Sequence, residues 1–309
     1  MGDFSADWLA LREPADRRAR SAALVGRLVA WLSEPSHPAS DGARPLQVLD
    51  LGCGTGANLR YLAPILAPIL TRDQCWTCLD LDVDLLRVLP RRTAAWATDL
   101  GMEPQPSGEG GLRIQGPGST WEVRAQAFDL TKGIGAIPLG PGTLVVASAL
   151  LDLVSEDWLT GLLRTCAGAR APLLLTLTYD GRVTLDPPLP LDGTVIGLVN
   201  AHQGRDKGFG RALGPSACAR LVQLGEALGF SVELRQSDWR LDSDETDLQA
   251  ALTQGWTAAA LEQAAATRGP EGLALMAAIR QWQQARCAQI AAKGSRLRVG
   301  HQDALLLPR

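Results

Sequence analysis

The residues of this 309-residue chain with the clearest chemical signature lie in a short glycine-rich turn. Asp50 ends an apolar run, and Gly52, Gly54 and Gly56 follow it at alternate positions. Glycines spaced in this way let the backbone turn sharply and approach a ligand closely, because no Cβ stands in the way. The letters also satisfy the G-x-G-x-x-A fingerprint of dinucleotide-binding proteins, so the glycines alone do not identify the ligand.

Two acidic positions narrow the choice of ligand. A carboxylate at Asp50, just before the glycines, would repel a pyrophosphate, which prefers bare backbone amides and a helix dipole, whereas it suits a cationic ligand. Asp80 ends the next apolar run, where its oxygens can accept charge-assisted hydrogen bonds from both hydroxyls of a ribose. In a second interpretation Asp80 caps a helix and Asp82 contacts the ribose. Both interpretations favour a nucleoside that carries a positive charge.

A polar segment further along the chain carries the candidates for catalysis. It follows an apolar stretch at residues 195–199, so we expect it to form a loop after the fifth strand. His202, with Asp206 close by, can act as a general base toward a hydroxyl or amine of a substrate. Tyr179, which ends another apolar run, is the third candidate for catalysis. The residues expected to bind this substrate are Asp152, Arg205 and Lys207. In the alternative interpretation the segment is a solvated loop in which Asp206 caps a turn.

These residues are positioned by apolar runs that alternate with helical patterns. The runs that predict strands are residues 46–49, 75–81, 121–130, 143–149, 173–179, 230–234 and 297–307. Strands that alternate with helices imply a doubly wound, mostly parallel sheet. Residues 101–119, rich in glycine and proline, are predicted to form a long surface loop, and the first helix is predicted to begin at Pro14.

On these residues, the sequence resembles the class I S-adenosylmethionine-dependent methyltransferases. Their D/E-x-G-x-G-x-G turn corresponds to Asp50–Gly56, their acidic ribose ligand to Asp80 and their adenine-contacting aspartate to Asp129. The segment after their fourth strand corresponds to the stretch that begins at Ser148. The residues expected to bind the cofactor are Asp50, Gly52, Gly54, Gly56, Asn58, Asp80, Leu81, Asp129, Leu130, Ser148 and Arg12, the last through the methionine carboxylate.

The resemblance implies an α/β fold with a seven-stranded sheet whose last strand, 297–307, is antiparallel. The chain is predicted to divide into an N-terminal helical cover (1–45), a methyltransferase core (46–241), a helical insertion (242–294) and a closing strand (295–309). The insertion departs from the family, whose common core has a short hairpin there. Two cofactor assignments have structural alternatives, since Asn58 can begin a helix and Asp129 can cap a loop.

Composition excludes several classes of protein. With a net charge of −3 and a pI of about 5.7, the chain lacks the excess positive charge that binds a phosphate backbone, which argues against a nucleic-acid partner. The longest apolar runs fall far short of the ~20 residues of a membrane span. Residues 150–153 read Leu-Leu-Asp-Leu, so the Asp/Asn/Ser-Pro-Pro-Tyr/Phe tetrapeptide of amino-methylating nucleic-acid enzymes is absent there. We therefore expect a cytoplasmic monomer or homodimer without a membrane partner or a metal.

The predicted activity is transfer of a methyl group from S-adenosylmethionine to an oxygen or nitrogen atom of a small molecule. The bulk of the insertion favours a closed pocket for a small acceptor over an open face that binds a polymer. Three alternatives stay open at this point: a methyltransferase of RNA or protein, a protein that binds S-adenosylmethionine without catalysis, and a nicotinamide oxidoreductase.

Overall fold

The computed structural model describes residues 5–34, 44–70, 73–108, 110–116, 118–133, 135, 139–140, 142–267 and 269–309. Its helices are α1 (Ala6–Ala19), α2 (Ala22–Leu32), α3 (Ala57–Leu70), α4 (Val83–Asp99), α5 (Glu156–Ala169), α6 (Asp192–Gln203), α7 (Ala217–Ala227), α8 (Thr246–Ala264) and α9 (Pro270–Ala291). Its strands are β1 (Leu46–Leu51), β2 (Gln74–Asp80), β3 (Glu103–Ser107), β4 (Gly111–Gly116), β5 (Ser119–Ala127), β6 (Leu144–Ser148), β7 (Leu173–Asp186), β8 (Phe230–Gln236), β9 (Trp239–Leu241) and β10 (Arg296–Pro308). Short 3-10 helices include Leu130–Lys132, Leu151–Leu153 and Gly214–Ser216.

The ten strands that the described residues form belong to one mixed sheet. The order is β3-β4-β5-β2-β1-β6-β7-β10-β8, and β9 pairs with β10. The central strands β5, β2, β1, β6 and β7 are parallel to one another, whereas β10 is antiparallel to both β7 and β8. The predicted α/β class and mostly parallel centre are therefore confirmed. The predicted count of seven strands is too low.

The hairpin of β3 and β4 accounts for most of this difference. It extends the sheet beyond β5, where the sequence predicted a surface loop over residues 101–119. That prediction is wrong because Leu112 and Ile114 alternate with polar residues and are buried in the core. The two prolines of β3, Pro104 and Pro106, are tolerated because β3 is an edge strand, which has no second neighbour to hydrogen-bond. The third additional strand is the short β9.

Helices cover both faces of the sheet, because successive residues of a strand point to opposite sides. Val48 of β1 packs in one core cluster with Leu28 of α2 and Leu62 of α3. The next residue, Leu49, packs in a second cluster with Leu163 of α5. The helices that the structure describes on the two faces of the sheet do not cover the carboxyl ends of the parallel strands. The helix α1 lies over these ends instead.

The first helix begins earlier than the sequence predicted. Ser5 is the N-cap of α1, and its hydroxyl accepts a hydrogen bond from the Trp8 amide at 3.1 Å. Asp7 in the first turn is favourable near the positive end of the helix dipole. The prediction that the helix begins at Pro14 is wrong, because this cap starts the helix two turns earlier and Pro14 lies inside it.

The segment that contains His202 is the end of a helix rather than a loop after a strand. Val195, Ile196 and Val199 are spaced to share one face of α6, and all three are buried. They pack in a third core cluster with residues of α8, among them Trp256. The expected loop after the fifth strand is therefore wrong, because a short apolar stretch does not distinguish a buried strand from a buried helical face.

The helices α8 and α9 occupy the part of the chain predicted as an insertion. They pack on each other, and α8 packs on α6, around Trp256 and Trp282. Within the part of the chain that the structure describes, no helix combines the length and apolar character needed to cross a bilayer.

Candidate functional site

A cavity of about 340 Å³ lies at the carboxyl ends of β1, β2, β5 and β6. Open α/β sheets bind their ligands at this edge. The lining residues that the sequence assigned to the cofactor are Arg12, Gly52, Gly54, Asp80, Leu81, Asp129, Leu130 and Ser148. The remaining lining residues are Leu9, Asp82, Leu85, Phe128, Thr131, Ala149, Leu150, Leu153 and Phe209.

The glycine turn forms one wall of this cavity. Gly52, Gly54 and Gly56 have φ angles of +63°, +53° and +88°, which L side chains rarely adopt. A Cβ on Gly54 would lie 2.8 Å from Cδ1 of Leu9, a residue of α1. The turn therefore needs glycine for two reasons, its backbone conformation and the close approach of the helix above it.

Asp80 connects this turn to the end of β2. Its Oδ2 accepts a hydrogen bond from the Gly54 amide at 2.7 Å, and its Oδ1 accepts one from the Asp82 amide at 3.0 Å. Asp82 is the N-cap of α4, where its Oδ1 accepts hydrogen bonds from the Asp84 and Leu85 amides. The structure thus gives the helix cap to Asp82 and leaves Asp80 at the junction of two strand ends.

Asp129 lies at the end of β5, on the far side of the cavity from the glycine turn. It is the N-cap of the 3-10 helix Leu130–Lys132, and it accepts hydrogen bonds from the Thr131 amide at 3.0 Å and the Thr131 hydroxyl at 2.6 Å. These bonds hold the pKa of Asp129 below its usual value. Its apolar neighbours Phe128 and Leu130 also line the cavity, so this end combines a carboxylate with apolar surface.

Asp50 and Asn58 lie beneath the turn and do not line the cavity. Asp50 is completely buried, and its Oδ1 accepts a hydrogen bond from Asn58 Nδ2 at 2.7 Å. Its Oδ2 has no partner among the described residues. Burial raises the pKa of Asp50 to about 7, and the hydrogen bond from Asn58 opposes this shift. Gly56 also lies outside the cavity, facing Leu89 of α4.

Arg12 reaches the cavity from α1, but its guanidinium is already paired. Nε and Nη2 donate to the two carboxylate oxygens of Asp16 at 3.0 and 3.1 Å. The guanidinium also lies over the ring of Trp239, 4.9 Å from its centroid, and the indole N–H donates to Asp16 at 3.0 Å. Arg12 is thus part of a buried network that fixes α1 to β9.

Two predicted residues belong to the segments around β6 and β7, Asp152 after β6 and Tyr179 within β7. Asp152 is buried in the 3-10 helix Leu151–Leu153, and its Oδ1 has no partner among the described residues. Burial raises the pKa of Asp152 to about 6. Tyr179 is also buried, and its hydroxyl donates to Asn200 Oδ1 at 2.7 Å. Burial likewise raises the pKa of Tyr179.

The remaining predicted residues form a polar cluster outside the cavity. His202, in the last turn of α6, has Nε2 3.0 Å from Oε2 of Glu262 and Nδ1 3.3 Å from Nζ of Lys207. Arg205 also donates to Glu262, at 3.1 Å. Asp206 accepts hydrogen bonds from the backbone amides of residues 208 and 210 at 2.7 and 3.1 Å, which shapes the following turn. Burial and the Arg205 charge lower the pKa of Lys207.

Phe209 connects this cluster to the cavity. It lies in the turn that Asp206 shapes, lines the cavity, and packs edge-on against Trp158 with ring centroids 5.5 Å apart. Sequence reasoning singled out this segment for its ionisable residues and missed the aromatic one. The signal was the flanking pair of glycines, which allows a bulky side chain to turn toward a ligand. Leu9 and Leu153 carried no such signal.

Comparisons with known proteins bear on the fold. No protein-family model matches the chain, and the search of curated proteins gives no match. Among solved structures, loganic acid methyltransferase with S-adenosylhomocysteine is 13% identical, over 100% of this chain and 98% of that one, with a TM-score of 0.53. Cyclopropane synthase MmaA2 from Mycobacterium tuberculosis is 12% identical, over 98% of this chain and 95% of that one, with a TM-score of 0.44.

The chain has a class I methyltransferase fold. The resemblance seen in the glycine turn is thereby confirmed at the level of the fold, and the residue assignments stay predictions. The cavity fits the cofactor of that fold on its own chemistry. Asp80 and Asp129 present carboxylates at the ends of the neighbouring strands β2 and β5, apolar side chains also line the cavity, and a Cβ at Gly54 would meet Leu9 of the cover helix.

Proposed function

We propose that this protein is an S-adenosylmethionine-dependent methyltransferase that acts on a small molecule. The observation that carries the proposal is the cavity, in which a left-handed glycine turn, the carboxylate that holds it and a second carboxylate face one apolar slot. The loganic acid methyltransferase that shares the fold was solved with S-adenosylhomocysteine, which supports the same cofactor here. When bound, S-adenosylmethionine supplies an electrophilic methyl group for in-line displacement.

Asp80 binds the ribose of the cofactor in this proposal. Two backbone amides already hold its carboxylate in place, so little freedom is lost when a ligand binds. Each carboxylate oxygen keeps a lone pair for a ribose hydroxyl. Asp129 accepts a hydrogen bond from the amino group of the adenine, and Phe128 and Leu130 pack against the base. Leu81, which is 55% exposed, covers the base from the solvent side.

The chain contributes to methyl transfer by aligning the acceptor and excluding water. Such positioning supplies much of the rate enhancement when the leaving group needs no acid. Leu9, Leu153 and Phe209 border the cavity with apolar side chains that exclude water. Asp152, one residue before Leu153, has an unpartnered oxygen and a pKa raised to about 6, and it is the candidate base of this proposal where the acceptor must lose a proton.

His202 has a supporting role in this proposal. Its two ring nitrogens face Glu262 and Lys207, which leaves neither directed at the cavity. Together with Asp206 it orders the turn that presents Phe209. Tyr179 is likewise engaged, by Asn200, and this hydrogen bond connects the middle of β7 to α6. The small volume of the cavity and its cover by α1 favour a small acceptor over RNA or protein.

Calorimetry with the pure protein tests the proposal. We expect S-adenosylmethionine and S-adenosylhomocysteine to bind, and Asp80→Ala to weaken binding by about 1.5–3 kcal/mol, the scale of hydrogen bonds to a charged group. Asp84→Asn is the matched control, because Asp84 lies at the start of the same helix but is exposed and paired with Arg87. Failure of both ligands to bind the wild-type protein would refute the proposal. Binding without turnover on any acceptor would indicate a non-catalytic cofactor-binding protein.

A further inference from the structure

One face of the cover helix carries three buried charges. Arg12, Asp16 and Arg20 follow one another at intervals of four residues, so they share a face of α1 and its C-cap. Their exposures are 9%, 5% and 6%. A buried charge is unfavourable unless an opposite charge or a full set of hydrogen bonds compensates it. The two arginines differ in their hydrogen bonds.

Arg12 is fully compensated without a ligand. Its guanidinium makes a two-pronged hydrogen bond to Asp16, the geometry in which a guanidinium and a carboxylate match best. The indole of Trp239 stacks on the guanidinium and donates to the same carboxylate. Arg12 therefore already has a carboxylate partner within the protein.

Arg20 lacks a full set of hydrogen bonds. Nη2 donates to Ser148 Oγ at 3.2 Å, and the ring of Tyr61 lies under the guanidinium at 4.8 Å from its centroid. Nε and Nη1 are buried and have no hydrogen-bond partner among the described residues. No carboxylate of those residues lies within ion-pair distance of Arg20. An arginine stays protonated in proteins, so this site holds a buried cation with two unused donors, and Asp16, Asp303 and Asp50 act on it only through their charge.

The acidic groups around Arg20 are already engaged. Asp16 pairs with Arg12 and Trp239. Asp303 of β10 accepts hydrogen bonds from two backbone amides, each at 2.8 Å. Asp50 of β1 accepts one from Asn58. Oδ2 of Asp50 has no partner among the described residues, but none of these three carboxylates hydrogen-bonds Arg20, so its two unused donors are open to an anion from outside the protein.

The position of Arg20 identifies that anion. Ser148, its one hydrogen-bond partner within the described residues, lines the cavity at the end of β6. Asp80 and Asp129 lie at the ends of β2 and β5, on the other side of β1. A ligand whose nucleoside occupies the β2 and β5 end therefore places its amino-acid portion at the β6 end. We infer that Arg20 binds the α-carboxylate of the methionine moiety of the cofactor.

This inference rests on the proposed function, since it needs S-adenosylmethionine in the cavity. The sequence predicted that Arg12 binds this carboxylate, and the inference assigns that role to Arg20 instead. It also makes Arg20 a specificity residue, because ligands without the carboxylate leave the buried guanidinium unpaired. The protein should therefore distinguish S-adenosylhomocysteine from decarboxylated S-adenosylhomocysteine, which keeps the amine and lacks only that group.

Calorimetry with these two ligands tests the inference. We expect the wild-type protein to prefer S-adenosylhomocysteine by about tenfold to a hundredfold, the range of hydrogen bonds to a charged group. Arg20→Gln should abolish this preference by weakening the binding of S-adenosylhomocysteine alone. Arg12→Gln, on the same helix face, should keep the preference. Arg20→Lys, which retains the charge and guards against a folding defect in Arg20→Gln, should keep part of it.

The outcomes separate this inference from the proposed function. A wild-type protein that binds neither ligand refutes the proposed function. A wild-type protein that binds both ligands equally well keeps the proposed function and refutes the role of Arg20. Loss of the preference in Arg12→Gln, with the preference intact in Arg20→Gln, would assign the carboxylate to Arg12 and overturn the inference.

Discussion

The two sides of the cavity are built in different ways. On the side of β1, β2 and β5, the polar side chains hold backbone amides, as when Asp80 accepts the Gly54 amide and Asp129 accepts the Thr131 amide. On the side of β6, β7 and α6, the polar side chains mainly hold one another, as in the contacts of His202 with Glu262 and Lys207. The first side is fixed by short local turns, and the second by packing between distant segments.

This difference separates what the cofactor requires from what the acceptor requires. A nucleoside needs a fixed backbone surface with a few carboxylates, which a strand and its following turn can supply from one stretch of sequence. An acceptor needs a shaped border, which here combines Leu9 of α1, Leu153 after β6 and Phe209 after α6. The following predictions test the division, beginning with the largest expected effect.

The largest expected effect is the pH dependence that Asp50 contributes. Burial raises its pKa from 3.8 to about 7, so its protonated form is favoured in the folded protein. The stability it contributes is complete below pH 4 and is lost as the pH rises toward 7. At about 1.4 kcal/mol per pH unit, this is roughly 4 kcal/mol. Denaturant unfolding at a series of pH values should show this decline in the wild-type protein, and Asp50→Asn should remove the part that Asp50 contributes.

Asp152 provides the matched comparison on the other side of the cavity. Its pKa is raised to about 6 by the same cause, so its contribution should vanish over the narrower window from pH 4 to 6. Asp152→Asn should therefore remove only the lower part of the decline, about 3 kcal/mol. If both variants kept the full decline of the wild-type protein, neither carboxylate would be the buried acid that this structure describes.

A somewhat smaller effect is expected for the ion pair that anchors α1 to α3, the helix that follows the glycine turn. Glu13 of α1 accepts two hydrogen bonds from Arg60 of α3, both at 2.7 Å, and the Arg60 side chain is 3% exposed. Glu13→Ala leaves this buried charge without its main partner and should lower the free energy of unfolding by about 3 kcal/mol. Urea denaturation measures it.

The control for this ion pair is an exposed one. Asp244 pairs with Lys293 at 2.9 Å, and both side chains are exposed. Asp244→Ala should leave the urea midpoint unchanged, because exposed pairs contribute little. Equal losses in Glu13→Ala and Asp244→Ala would mean that the contact between α1 and α3 does not anchor the cover helix.

The sequence was sufficient to predict residues that line the cavity at β1, β2 and β5, because short contiguous motifs encode that side. Asp80 and Asp129 each end a strand that its apolar run predicts, and Gly54 belongs to a contiguous turn. Residues such as Phe209 and Arg20 could not be predicted in the same way, because their roles depend on which distant segment each one meets. The strand count failed for a related reason, since the hairpin at β3 and β4 has prolines that indicate a loop and gains its stability from packing against its neighbours.

Gly54→Ala tests the backbone of the cofactor side with a smaller expected effect. An alanine at φ +53° costs about 1–2 kcal/mol, and here it also meets Leu9. Gly101→Ala is the matched control, since Gly101 has a φ of +73° and nothing within 4 Å of the added Cβ. Both variants should lose stability in denaturation, Gly54→Ala the more because of Leu9, but only Gly54→Ala should lose affinity for S-adenosylhomocysteine. Unchanged affinity in Gly54→Ala would place the ligand away from the turn.

The smallest effect is expected for His202, on the other side of the cavity. Its partner Glu262 is 60% exposed at the side chain, so the contact between them contributes little to stability. His202→Gln should change the free energy of unfolding by less than about 0.5 kcal/mol and leave calorimetric binding of S-adenosylhomocysteine as in the wild-type protein. Glu262→Gln, which removes the same contact from the exposed partner, should behave alike. A large loss of cofactor affinity in His202→Gln alone would show that the imidazole reaches the cavity, and the division between the two sides would then fail at this residue.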